Sequence, residues 1–147
     1  MTVVTTPISI RPVTRADVDA VLALWRAVFP EYADPSRAHR DPAASLARKL
    51  DFGDGLFWLA EREGRAVGTA MAGWDGHRGW LYSVGVHPEA RRAGIGALLV
   101  REAERTLAAR GCPKVNLQVL AGNEAALAFW RSVGYAQDAV VPMGKRL

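Results

Sequence analysis

Val84-Gly85-Val86-His87-Pro88-Glu89-Ala90-Arg91-Arg92-Ala93-Gly94-Ile95-Gly96-Ala97-Leu98-Leu99 is the stretch from which the rest of the chain can be read. An extended apolar segment runs to Val86 and Pro88 interrupts it. A basic loop containing Gly94 and Gly96 then opens a helix whose apolar positions Ile95, Leu98, Leu99, Ala103 and Leu107 recur at helical spacing. Unpaired N–H groups and the positive end of the dipole converge at such a helix start, which makes it an anion site. Gly94 and Gly96 lack side chains, so the backbone can approach a pyrophosphate closely, and Arg91 and Arg92 add charge-assisted donors. A glycine-rich helix start that merely packs well has the same residues. Two other phosphate loops do not fit: a dinucleotide fingerprint needs a third glycine where Leu99 stands, and a Walker loop needs Gly-Lys-Ser/Thr.

Upstream, residues 8–12 alternate as a strand. Thr14 with Asp17 resembles a capping box, and it opens a helix with an apolar stripe of Val18, Val21, Leu22, Trp25 and Phe29, stopped by Pro30. Residues 31–42 hold two prolines and several charges and read as a loop before a short helix over 43–50. Strands are expected at 56–61, 66–74 and 80–86, joined by turns at Glu63-Gly64 and Asp75-Gly76. Downstream, Gly111 and Pro113 stop the helix and residues 115–120 read as a strand. Asn123 caps a last helix through Trp130 and Val133, Gly134 closes it, and residues 139–147 are expected to be extended. The order β-α-α-β-β-β-α-β-α-β describes an α/β layer built around one sheet, without repeats or linkers.

A length of 147 residues suits one domain, and 50% hydrophobic with 23% charged residues is a globular composition. No apolar run reaches the roughly 18 residues of a membrane span, and the N-terminus lacks a signal-peptide layout, so a cytoplasmic protein with no membrane partner is expected. Cys112 is the single cysteine, which excludes an internal disulfide and a cysteine-rich zinc site, and a buried thiol is its expected role. No histidine pair has metal-ligand spacing, so no metal is expected. The net charge of +4 is spread along the chain as on a solvated surface, and no nucleic-acid partner is expected.

Arg91-x-x-Gly94-x-Gly96 after a strand ending in Val86-x-Pro88 resembles the acetyl-CoA loop of the GNAT superfamily of N-acyltransferases. Asn123-x-x-Ala126-x-x-Phe129-Trp130-x-x-x-Gly134-Tyr135 is similar to that superfamily's second signature. The stretches 75–79, 110–114 and 144–147 resemble the small bacterial YpeA-type members more narrowly. The resemblance covers nearly the whole chain and is weakest over residues 31–54. It implies a single acyl-CoA N-acyltransferase domain over 1–147, with a mixed, mostly antiparallel sheet, splayed central strands and helices on both faces. It also implies acetyl-CoA as acyl donor, an unidentified amine acceptor, and a monomer or homodimer.

Carried over to these positions, the resemblance implies that backbone groups of Val84, Gly85 and Val86 bind pantetheine. Arg91, Arg92, Ala93, Gly94, Ile95, Gly96 and Ala97 would hold the pyrophosphate, with Asn123 and Trp130 beside the cofactor; a plain N-cap is the other reading of Asn123. An amine would attack the thioester directly, and a backbone N–H of the fourth strand would stabilise the oxyanion. The chain departs from the pattern at two points. Trp130 stands where many relatives have a tyrosine acid, and Gln118 where ribosomal-protein acetyltransferases have a carboxylate base. Tyr82 is the best substitute, because alternation places it on one face with Trp80 and Val84; simple packing of those rings is the other reading. His77 reads as a turn residue. These departures also leave open a non-catalytic acyl-CoA binder. The acceptor pocket is expected from residues 31–54 and the final strand.

Overall fold

The computed structural model describes residues 6–33 and 41–147. The readings that fall on residues 1–5 and 34–40 lie outside the described residues. The elements are β1 (Ile8–Pro12), α1 (Val18–Val28), α2 (Pro42–Phe52), β2 (Phe57–Arg62), β3 (Arg65–Trp74), β4 (Gly79–Val86), α3 (Ile95–Ala109), β5 (Val115–Asn116) and α4 (Glu124–Ser132). The strands form one sheet in the order β1-β2-β3-β4-β5, antiparallel throughout except for the parallel β4–β5 pair. The chain divides into two compact units, one reaching to Leu117 and one from Gln118 to Leu147.

Helices cover both faces of the sheet in the first unit. Gly85 pairs with Thr69 and Gly68 with Val86, so Gly85 and Gly68 point to opposite faces. A Cβ on Gly85 would lie 2.5 Å from Val28 and 2.9 Å from Phe29, at the end of α1; one on Gly68 would lie 2.9 Å from Leu99 of α3. On the α1 face, Val21 and Trp25 pack with Leu46 of α2 and with Phe57, Leu59 and Met71 of the sheet. On the other face Ile95, Leu99, Val100, Ala103 and Leu107 of α3 are all buried.

The start of α1 is tied to the sheet by ion pairs. Asp17 accepts from the Thr14 N–H at 2.7 Å, as the expected capping box requires, although a 3-10 turn, Arg15–Asp17, precedes the α-helix. Arg11 donates to both Asp17 oxygens, at 2.8 and 2.7 Å, and to Glu61 at 2.6 Å. The Arg11 guanidinium, ahead of the Thr14 donors, holds the Asp17 carboxyl far below the usual carboxylate range. A depressed folded-state pKa contributes stability that is present above the unfolded value of 3.8 and is lost as pH falls below it. Asp17→Asn is therefore expected to cost about 1–3 kcal/mol at neutral pH and to flatten the acid limb of stability below pH 4. Chemical unfolding as a function of pH measures both; an unaltered acid limb would contradict the assignment.

Several expectations are corrected. Residues 30–33 form a 3-10 turn where a loop was expected. α2 runs longer than residues 43–50, because Asp41 caps it, Pro42 suits its first position and Gly53 ends it in the left-handed region. The β3–β4 connection is a four-residue loop in which the Asp75 carboxylate accepts from the N–H groups of His77 and Arg78, wider than a tight Asp-Gly turn. The fifth strand shrinks from the expected 115–120 to Val115–Asn116. No strand forms over residues 139–147: Pro142 lacks a ladder donor, Gly144 weakens any strand, and Val140, Val141 and Met143 are exposed.

Candidate active site

β4 is two half-strands in different phase. Tyr82 pairs with Met71 and Gly85 with Thr69, so three residues of β4 span two of β3, a β-bulge. Ser83 sits inside it at φ 47°, a left-handed conformation that is uncommon without glycine. A buried hydrogen-bond chain secures this strain: Trp25 Nε1–H donates to Thr69 Oγ1 at 3.0 Å, and the Thr69 hydroxyl donates to the Ser83 carbonyl at 3.0 Å. The bulge corrects the expected alternation. Trp80 and Tyr82 do share a face, with rings 6.5 Å apart and 20° between planes, but Gly85 and not Val84 lies on that face beyond the bulge.

The parallel ladder to β5 consists of Gly79–Val115 and Trp80–Asn116 only. From Leu81 to Val86 the outer edge of β4 has no ladder partner among the described residues. A bulge adds twist and turns a strand away from its neighbour, which accounts for the short β5. Backbone groups alternate between the two sides of a strand, so Gly85, paired with Thr69, turns its own toward β3, and the N–H groups of Val84 and Val86 lie along the open edge.

At the end of β4 the chain passes through a 3-10 turn, Pro88–Ala90, capped by His87 Nδ1 accepting from the Glu89 N–H at 3.1 Å. Arg91 Nε donates to the Val86 carbonyl at 3.2 Å, which ties the loop to the strand. Arg92 and Gly94 both have positive φ, 69° and 74°, and Gly94 is the N-cap of α3. The first helical amide bond runs from Leu98 to Gly94, so the N–H groups of Ile95, Gly96 and Ala97 are left for another acceptor. Arg91, Arg92, Ala93 and Gly94 are exposed, whereas the Ile95 side chain is buried and can contribute only its backbone.

A cavity of about 450 Å³ opens on the α1 and α2 face, between α2 and the β3–β4 hairpin. Gly73, Trp80 and the half-exposed Tyr82 form its sheet side, and Phe52 stands across from them. Its ionisable lining groups are Arg48, Lys49, Asp54, Asp75 and Arg78. Burial, reinforced by the Asp75 carboxylate, raises the Tyr82 phenol above its ordinary 10.0, so it keeps its proton at neutral pH. His77 lies in the hairpin loop, outside the cavity lining, as its turn reading required.

In the second unit Asn123 Oδ1 accepts from the Ala126 N–H at 3.1 Å, the N-cap reading of that residue. Trp130 packs edge-on against Phe129 and Tyr135, with centroids 5.0 and 5.2 Å apart. Gln118 belongs to this unit as well.

The sequence pattern described as the acetyltransferase (GNAT) family matches residues 19–135. The chain belongs to this family. Among relatives of this GNAT acetyltransferase, acetyltransferase SG1711 of Sodalis glossinidius (strain morsitans) is 42% identical over 139 residues, 94% of each chain. In fold it is similar to the PaiA N-acetyltransferase of Thermoplasma acidophilum, solved in complex with coenzyme A, with a TM-score of 0.82 at 18% identity over 92% of this chain and 93% of that one. The ribosomal-protein-S18-alanine N-acetyltransferase of Escherichia coli gives 0.75 at 22% identity over 90% and 80%.

The sequence reading of this GNAT acetyltransferase missed the bulge at Ser83 and the charged groups of the cavity. Arg48 and Phe52 were findable, since residues four apart on a helix share a face. Among the described residues, no group of three or more His, Cys, Asp or Glu side chains could hold a metal ion. Among the described residues, no helix is long and apolar enough to cross a membrane.

Proposed function

We propose that this acetyltransferase moves the acetyl group of acetyl-CoA to a primary amine, by direct attack within a ternary complex. The observation that carries the reading is the run from the open β4 edge at Val84–Val86 into the free amides of Ile95, Gly96 and Ala97. The edge suits the amide groups of pantetheine, and the helix start with Arg91 and Arg92 suits the pyrophosphate. Asn123 and Trp130 enter the proposal through the family resemblance alone, as does membership of the YpeA-type subgroup. The proposal takes residues 1–147 as one acyl-CoA N-acyltransferase domain, acting in the cytoplasm.

The cavity ends at Tyr82, beside the bulge, and is where the amine acceptor enters. The amine nitrogen forms a C–N bond to the acetyl carbonyl carbon. The C–S bond breaks, its electron pair leaves on sulfur, and the proton lost by nitrogen passes to water. A backbone N–H on the open edge of β4 stabilises the oxyanion. Tyr82, still protonated at neutral pH, donates to the departing thiolate and is reprotonated from solvent. Tyr82→Phe is therefore expected to lower kcat by up to about 10²-fold while leaving acetyl-CoA affinity unchanged. Steady-state kinetics with a verified acceptor, under conditions where chemistry limits the rate, measure this, and an unchanged kcat and pH profile would remove Tyr82 from the mechanism.

Trp130 and Gln118, which offer neither acid nor base at two positions where relatives use them, favour a second reading, an acyl-CoA binder without turnover. Titration calorimetry with acetyl-CoA and CoA thiol release over a panel of amines distinguish the two. Low-micromolar binding with amine-dependent thiol release is expected. Binding without release would establish the second reading, and no binding below the millimolar range would defeat both.

A further inference from the structure

The charges around the cavity are unevenly matched. Lys49 is consumed by Asp54 at 2.8 Å and by the Ala72 carbonyl at 2.5 Å, and the two side chains are only 13% and 15% exposed, so this pair cancels within the wall. Asp75 is engaged by its own turn, which holds its carboxyl below the usual range and keeps it negative. Arg48 and Arg78 are exposed on the cavity and make no ion pair among the described residues. The cavity thus presents two uncompensated guanidiniums against one carboxylate, next to the stacked faces of Trp80 and Tyr82.

We infer that this cavity selects an amine that also bears a carboxylate on a flat apolar body, an acidic amine in preference to a polycationic one. The inference rests on the acetyl-transfer reading for its use of the amine, and on the cavity itself for its binding. A guanidinium fork matches a carboxylate in a two-bond geometry, which a point charge does not. A flat body fits against the Trp80–Tyr82 stack, and about 450 Å³ lies within the range of small-molecule sites. A polyamine would bring further cations beside Arg48 and Arg78 at a Coulombic cost.

The test uses the full chain and three matched probes: 4-(aminomethyl)benzoate, its methyl ester, and 4-(aminomethyl)benzylamine. Calorimetry at neutral pH is expected to show the carboxylate binding about tenfold tighter than the ester, with the diamine weakest. In Arg48→Gln and in Arg78→Gln the preference should fall below about threefold, while melting temperature and acetyl-CoA affinity stay at wild-type values. Equal or tighter binding of the ester or diamine overturns the inference. So does an absence of saturable carboxylate binding up to about 10 mM, or a preference that survives both substitutions. Failure of the acetyl-CoA titration would defeat the transfer reading alone, because the probe affinities are read without turnover.

Discussion

Gly96→Asp is expected to remove acetyl-CoA binding, by more than about 100-fold, in a protein that remains folded. Gly96 is the second residue of α3, and its N–H is one of three that the helix leaves free. An aspartate there places a side chain where the backbone must meet the pyrophosphate and sets a negative charge against it. For the helix the same substitution is favourable, since a carboxylate in the first turn interacts well with the dipole, by about 0.3–1 kcal/mol. Loss of binding together with an unchanged or higher melting temperature therefore separates the anion site from general stability. Cys112→Ser is the control: its Sγ lies 3.2 Å from the Lys114 carbonyl, at the far end of the helix, and affinity should not change. Wild-type affinity in Gly96→Asp would refute the placement of the pyrophosphate.

Thr69→Val is expected to lower stability by about 2–4 kcal/mol, although it keeps the shape of the side chain. Thr69 and Trp25 are fully buried, and the Thr69 hydroxyl is both acceptor for Trp25 and donor to Ser83. Valine leaves a buried indole N–H and a strained carbonyl without partners, each costing about 1–3 kcal/mol. Thr69→Ser retains both bonds and loses only a methyl group, so it should cost about 1 kcal/mol. A melting temperature lower by at least about 5 °C in the valine variant, with weaker acetyl-CoA binding that serine restores, would show that the chain holds the bulge. Equal behaviour of the two variants would show that it does not.

The elements that were legible in the sequence are those whose reasons are local. The stripe Val18, Val21, Leu22, Trp25 and Phe29 defined α1. The Glu63-Gly64 pair, at φ 54° and 73°, defined the β2–β3 turn, and Gly94 defined the start of α3. The bulge left no such mark. Leu81 to Val86 reads as unbroken strand, Ser83 is not a residue type that advertises positive φ, and its support comes from Trp25 and Thr69, 58 and 14 positions away. The cavity was half legible: residues 31–54 supply Arg48, Lys49, Phe52 and Asp54, and its other wall is the β3–β4 hairpin. That wall depends on strand register, which pairwise spacing does not reveal.

The extra residue at Ser83 also separates two kinds of evolutionary constraint. Below it, Trp80 and Tyr82 present side chains to the cavity, and either can be exchanged without moving the backbone. Above it, recognition in the proposed complex runs through main-chain amides and glycines, which side-chain exchange hardly alters. In that proposed complex the half facing the acceptor can drift toward new amines while the half facing the donor stays fixed, with the hydroxyl of Thr69 as the hinge pin between them. Deleting one residue in the bulge would abolish that independence, because the strand would regain a single phase and every change at one end would rotate the other.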